Sequence, residues 1–217
     1  MAELHPSIAH LEAPGRIKRL PIDHRGFYVP SFVAWIDGQA DHRVVAPGKI
    51  AEAYTNKVCW ICGAPLGRFL AFLVGPMCTV SRTVPEPPSH RECAEYAAKA
   101  CPFLARPHAH RREVGLPEEY INASGIPIDR NPGVVCVWIT RSFAPFQAYG
   151  GNAGVLFRLG TPVETRWFCE GRAATRDEVL ASLESGLPLL RAECRERSEL
   201  VALEMQTQRA MMLLPAA

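Results

Sequence analysis

Four residues in this chain have the types and the spacing to hold one metal ion. They are Cys59 and Cys62 in Cys59-Trp60-Ile61-Cys62-Gly63, and His90 and Cys93 in Ser89-His90-Arg91-Glu92-Cys93. Three thiols and one imidazole are a donor set that suits tetrahedral Zn²⁺. A cysteine ligates as its thiolate, and the ion itself drives that deprotonation. A CxxC turn followed by glycine aims two sulfurs and several backbone N–H groups at one point. On a helix, residues three apart share a face, so His90 and Cys93 can reach the same ion. The partial positive charge at a helix N-terminus favours anionic sulfur there. Four protein ligands leave no open position for water, so a structural ion is expected rather than a catalytic one.

Cys78 and Cys101 compete for places in this set. Cys101 lies eight residues beyond Cys93. That is about 12 Å along a continuous helix, too far for one ion with Zn–S bonds of about 2.3 Å. Cys101 is therefore read as a packed thiol. Cys78 sits just past Gly75-Pro76 and is the alternate to His90, should the chain fold back there. Cys136 and Cys169 fall in apolar runs and read as inert core thiols. No motif around any serine or cysteine marks a nucleophile, and no glycine-rich phosphate loop occurs.

The elements that must position these ligands follow from pattern. Phe32 to Ile36 and His42 to Val45 are predicted strands joined by a turn over 37–41. Pro47 opens a short helix to about Asn56. Arg68 to Val74 and Met77 to Val84 are predicted as a hairpin turning at Gly75-Pro76. Ser89 is the predicted N-cap of a helix from His90 to about Cys101. Val134 to Thr140 is an apolar strand, and Gly154 to Leu159 with Val163 to Phe168 is predicted as a second hairpin. Thr175-Arg176-Asp177-Glu178 is a capping box opening a helix to about Gly186. Pro188 is then expected to start another helix, running to about Met212. The four tryptophans lie in or beside apolar runs and read as core. Trp60 is the exception, because an exposed ring there could stack on a base or a partner side chain.

Knuckle, hairpin and helix-start ligands together look like a treble-clef zinc finger covering about residues 59 to 101. The expected class is α+β: that zinc module, an N-terminal hairpin, and a C-terminal part of about three strands and two helices. By segment, 1–30 is an N-terminal arm and 31–105 holds the hairpin and zinc module. Residues 106–132 form a proline-rich linker, and 133–217 a C-terminal strand-helix region. The C-terminal helix carries Leu189, Leu200, Leu203, Met211 and Met212, which suit either internal packing or pairing between copies of the chain.

Composition bounds the function. Of 217 residues, 48% are hydrophobic and 21% charged, so a folded core is expected rather than disorder. A formal charge of +2 is near balance, so no global field selects an anionic partner. The first twenty residues hold Glu3, His5, Glu12, Arg16, Lys18 and Arg19, so no secretory signal is expected. The longest apolar stretch, Phe69 to Met77, is too short to span a membrane. A cytoplasmic setting follows as the expectation, and there clustered cysteines are more often metal ligands than disulfides.

Beyond the finger, the chain resembles a family of uncharacterised bacterial and phage-borne zinc-binding proteins. The resemblance rests on Phe32 to Asp37, Cys59 to Gly63, Gly75-Pro76-Met77-Cys78, Glu86 to Phe103, and Gly171 to Thr175. It spans most of the chain and implies no catalytic residue. A mobile-element setting makes an intracellular binding role the natural expectation.

Three functions are weighed. The first is a binding protein with structural zinc, its partner a nucleic acid or a protein. The nucleic-acid version would use Trp60 and the basic cluster Arg106, His108, His110, Arg111 and Arg112; the bland reading of that cluster is a solvated linker. The second is a metal-dependent nuclease of HNH-like type. Its general base belongs in the hairpin, and Leu66 to Val84 contains no His, Asp or Asn. The third is an inhibitor of a host or defence protein. Asp23-His24-Arg25-Gly26 reads as a turn.

Overall fold

The computed structural model describes residues 3–105, 132–148 and 154–216. Nearly all of the segment read as a linker lies outside the described residues. So do Arg106, His108, His110, Arg111 and Arg112, and residues 149–153.

The N-terminal stretch is laid down on the rest of the chain. After helix α1 (Pro6–Ala9), Ala13 and Ile17 are buried in one apolar cluster with Cys59, Ile61, Cys93 and Tyr96. Arg16 reaches Glu92 at 3.2 Å. Gly26, at φ 86°, passes so close to His5 and Glu3 that a Cβ there would meet Glu3 O at 2.7 Å. Only glycine lets those backbones approach.

Strands β1 (Val33–Ile36) and β2 (Gln39–Val45) pair antiparallel as predicted. The turn is tighter than 37–41: Asp37 and Gly38 both take positive φ, 48° and 76°. That is the two-residue geometry that matches strand twist. Trp35 is 52% exposed, so the core reading fails for it. Its strand belongs to a two-stranded ribbon, where alternate residues must face water. Helix α2 (Lys49–Thr55) follows Gly48.

The predicted hairpin over Arg68 to Val84 does not form. Leu70–Val74 is a strand (β3), but Pro76–Ser81 is a helix (α3), and only Thr83–Val84 is extended (β4). Pro76 stands at the first helical position, where its missing N–H costs nothing and its φ is already helical. β3 instead pairs along its whole length with β5 (Val134–Thr140). Between them α4 (Arg91–Ala100) has His90, not Ser89, as its N-cap residue. Ser89 is taken up in a bridge to Ala71, its N–H donating to Ala71 O at 2.7 Å.

β6 (Phe143–Gln147), β7 (Val155–Leu159), β8 (Pro162–Cys169) and β9 (Arg172–Ala173) complete two further sheets. Their orders are β3-β5-β8-β9 and β4-β7-β6. β7 and β8 are therefore not a hairpin, despite the Gly160-Thr161-Pro162 turn between them. All seven residues of β5 are buried, so it takes a strand on each side and helices on both faces. β8 fills one of those edges and leaves β7 to pair with β6 and β4. β6 was not foreseen, because Pro145 breaks its pattern; as an edge strand it tolerates the proline.

The core lies on both sides of the central sheet. On one face Ala71, Val135, Val137 and Ile139 meet Ala94 and Ala98 of α4. On the other, Phe72, Val74, Cys136, Trp138 and Trp167 meet α3 and two long helices. These are α5 (Arg176–Glu193) and α6 (Arg197–Met211). The predicted break at Gly186 is absent, and α5 continues through Pro188. Gly186 and Leu187 are buried while Pro188 is exposed, so packing holds the helix together across the lost hydrogen bond. Of the apolar C-terminal positions, Leu203 is buried, whereas Leu189 and Leu200 are 44% exposed and Met212 77%.

The capping box at α5 forms as read. Thr175 Oγ1 accepts from Glu178 N at 3.3 Å, and a Glu178 carboxylate oxygen accepts from Thr175 N at 2.8 Å. Arg172 donates to the same carboxylate at 2.6 Å. The Arg172 hydrogen bond first, and the Thr175 N–H second, bring the Glu178 carboxyl down to about 2. A carboxylate whose folded value is depressed stabilises the fold above its unfolded value of about 4.3. That stability fades as pH falls toward the folded value. The midpoint of thermal unfolding should therefore drop between pH 4.5 and pH 2, and Glu178→Gln should flatten that part of the profile. The pair is solvent-screened, so the shift should be modest and smaller at high salt. An unchanged profile in Glu178→Gln would show that other carboxylates carry the acid sensitivity.

Candidate metal centre

The central sheet places this site. β3 holds Ser89 by two backbone hydrogen bonds, and the next residue, His90, opens α4. The knuckle is tied to the same point, Trp60 N donating to Pro88 O at 3.0 Å. The turn itself closes by Gly63 N to Cys59 O and Cys59 N to Ala64 O, both 2.8 Å. Gly63 takes φ 70°, the left-handed conformation that this reversal requires. Ser31, from the segment before β1, donates its N–H to Ile61 O at 2.8 Å and its hydroxyl to Trp60 O at 2.9 Å.

The result is a single group. One ligand atom from each of Cys59, Cys62, His90 and Cys93 lies within 4.8 Å of all the others. Tetrahedral Zn²⁺ with bonds of about 2.3 Å to sulfur and about 2.0–2.1 Å to nitrogen would set S and N roughly 3.6 Å apart. His90 Nδ1 stands 3.3 Å from Cys62 Sγ and 3.9 Å from Cys93 Sγ, on either side of that value. The far side of the ring is also provided for. His90 Nε2 donates to Pro65 O at 2.9 Å, so the proton sits on Nε2 and Nδ1 presents its lone pair to the thiols. That backbone carbonyl is the partner a metal-bound imidazole requires.

One thiol, Cys59, is already primed for charge, whereas burial raises that of Cys62. Cys59 Sγ accepts from Cys62 N at 3.4 Å and from His90 N at 3.3 Å. The Cys93 thiol hydrogen-bonded to Cys59, together with these amides, holds Cys59 well below the ordinary thiol range against the cost of burial. Donating to Cys59 pushes Cys93 strongly upward, helped by burial and the neighbouring charge. Three thiols in one pocket cannot all ionise without a cation between them. A divalent ion removes that conflict, so the donor set and its electrostatics fit Zn²⁺.

The other cysteines stay apart. Cys78, the alternate ligand, lies on α3 against the apolar core, and burial pushes it up to about 11. It does not join the group because the chain does not fold back at Gly75-Pro76. Cys101 caps the far end of α4, and burial raises its thiol. All eight cysteines are free thiols.

Trp60 does not present a ring for stacking on a base. It is 4% exposed and lies flat on Phe32, centroids 4.4 Å apart and planes at 7°. The knuckle turns Trp60 inward against the segment before β1, a contact worth about 0.5–1.5 kcal/mol beyond burial. Asp23-His24-Arg25-Gly26 is a turn, as read. Asp23 is buried, accepting from Phe27 N at 2.9 Å and Arg25 Nη2 at 2.8 Å, with His42 Nε2 at 3.2 Å. Burial raises the Asp23 carboxyl, but the Phe27 amide and Arg25 prevail and the net direction is down. Ser31, Pro65 and His42 were not singled out from sequence, and nothing in their local pattern marks them. Among the described residues, no helix is long and apolar enough to cross a membrane. No family model, curated protein or solved structure matches this chain.

Proposed function

We propose that Cys59, Cys62, His90 and Cys93 bind one structural Zn²⁺, and that the protein is an intracellular nucleic-acid-binding protein, not an enzyme built on that metal. The observation that supports the zinc role is the Cys₃His group itself, with His90 Nδ1 directed at the thiols by the Pro65 carbonyl. Four protein donors fill a tetrahedral ion, and none is left for a substrate or a reactive water. The ion would staple the knuckle to the entry of α4, fixing β1–β2 and the N-terminal stretch against the central sheet.

The nucleic-acid role draws on the basic run Arg106, His108, His110, Arg111 and Arg112, and on the resemblance to phage-borne zinc-binding proteins. Phosphate contacts by such a run make affinity salt-dependent. The test joins metal counting to binding. One zinc per purified chain is expected, and a labelled oligonucleotide should bind at low salt. Arg111→Ala with Arg112→Ala should weaken that binding and flatten its salt dependence. Absence of binding in both forms at low salt would remove the nucleic-acid role. Co-purification of a stoichiometric protein partner would put a protein in its place. Cleavage of the oligonucleotide with added Mg²⁺ or Mn²⁺ would favour the HNH-like nuclease.

A further inference from the structure

We propose that the end of the molecule where β4, β7 and β6 meet the central sheet binds single-stranded nucleic acid, with arginines on phosphates and two phenylalanines under bases. The proposal rests on the nucleic-acid reading above and gives it a surface on the folded body. Three arginines from distant segments are gathered there by pairings already described. Arg158 lies opposite Ala144 on one side and Thr83 on the other. Arg82 precedes Thr83, and its guanidinium donates to Leu159 O at 3.1 Å. Arg141 precedes Ser142, whose carbonyl accepts from Gly160 N at 3.0 Å. With strands about 4.8 Å apart, these three positions sit within roughly 10 Å of one another along the backbone.

None of the three has a carboxylate partner among the described residues, in contrast to Arg91 and Arg166, which share Glu95 and Glu164. Glu164, opposite Ile139, is the acidic residue nearest to Arg141 by register, and those two arginines hold it at 2.9 Å and 2.7 Å.

All three arginines lie over aromatic rings, but half-buried Arg82 lies 5.7 Å from the core ring of Trp138, so the exposed pair is Arg141 and Arg158. Arg141 sits 5.4 Å from the centroid of Phe69, a ring 47% exposed at the start of β3. Arg158 sits 5.2 Å from the centroid of Phe146 on the neighbouring strand. Alternation turns Phe157 and Leu159 into the core, while Arg158 and Ala144 are exposed, so this sheet face is open. The exposed ring of Phe69 and the half-buried ring of Phe146, beside two exposed guanidiniums without a carboxylate partner, match a strand whose bases are free to stack. A duplex keeps its bases covered and can use only the charges, which is why the proposal commits to single strands.

The experiment is fluorescence anisotropy on the full, zinc-loaded chain with three probes: a short single-stranded RNA, a DNA of the same sequence, and its duplex. The single strands should bind more tightly than the duplex. Arg141→Ala with Arg158→Ala should lower the slope of log affinity against log salt by about 1.4, roughly 0.7 per lost phosphate contact. Phe69→Ala with Phe146→Ala should weaken binding about tenfold or more and leave that slope unchanged. Zinc content and melting temperature check that each variant is folded. Equal affinity for the duplex would overturn the single-strand assignment. Loss of binding in Arg111→Ala with Arg112→Ala, but not in Arg141→Ala with Arg158→Ala, would overturn this surface and leave the nucleic-acid reading standing. Failure of every probe to bind at about 50 mM salt would overturn both.

Discussion

Replacing Cys93 with serine is expected to strip the zinc from this protein and to unfold the region around the knuckle. Cys93 is fully buried, in contact with Cys59, and packed in the cluster that also holds Ala13, Ile17, Ile61 and Tyr96. Without the third thiolate the ion keeps two sulfurs and one nitrogen, and a structural zinc site does not hold tightly with that set. Structural zinc contributes about 10–16 kcal/mol of binding free energy in isolated zinc fingers, and that free energy is folding free energy. Even half of it is comparable with the typical net stability of about 5–15 kcal/mol for a whole domain. Zinc per chain should fall from one to near zero, and the melting temperature should drop steeply. A chelator should do the same to the wild-type chain. Retention of one zinc per chain with an unchanged melt in Cys93→Ser would remove the metal reading. Cys78→Ser is the matched control and should leave zinc content intact, because Cys78 lies in the apolar core rather than in the Cys₃His group.

The second large effect is expected from Trp138→Ala. Trp138 is 1% exposed at the centre of β5, opposite Phe72 of β3 and Thr165 of β8. Its indole N–H donates to Gly160 O at 3.0 Å, and the Arg82 guanidinium lies 5.7 Å from its ring. Truncation leaves a cavity between sheet and helices and an acceptor without its donor. Large-to-small changes of this kind cost about 3–5 kcal/mol. Urea unfolding of the zinc-loaded chain measures it as a lowered midpoint at constant slope. Trp35→Ala is the contrast, since half of that ring faces solvent; it should cost well under half as much. Comparable losses from the two would mean that Trp138 is not at the centre of the core.

Local chemistry was readable in the amino-acid order alone. The Cys₃His set followed from donor type and from spacings of three, because a tight turn and a helix start each impose their geometry within a few residues. β5 followed from an unbroken apolar run, the β1–β2 hairpin from two short strand patterns about a turn over 37–41 that proved tighter, and the start of α5 from Thr175 and Glu178. What failed were choices among partners. Leu70–Val74 was expected to pair with its neighbour in the chain and pairs with β5 instead; Val155–Leu159 pairs with β4 and β6 rather than across Gly160 with β8.

Strand patterns report which face is buried, not which strand lies alongside. That choice is made by the two-sided burial of β5, a property of the assembled core. The same holds for α5, where packing around Gly186 and Leu187 outweighs the local preference of Pro188 to end a helix. It holds for Trp60, whose ring turns inward on Phe32 because the segment before β1 is tied to the knuckle. Sequence determined the donors and the local turns. Tertiary structure decided their neighbours: the Pro65 carbonyl behind His90, and the arginines without carboxylate partners where the sheets meet. Those contacts join residues tens of positions apart, and no local pattern encodes them.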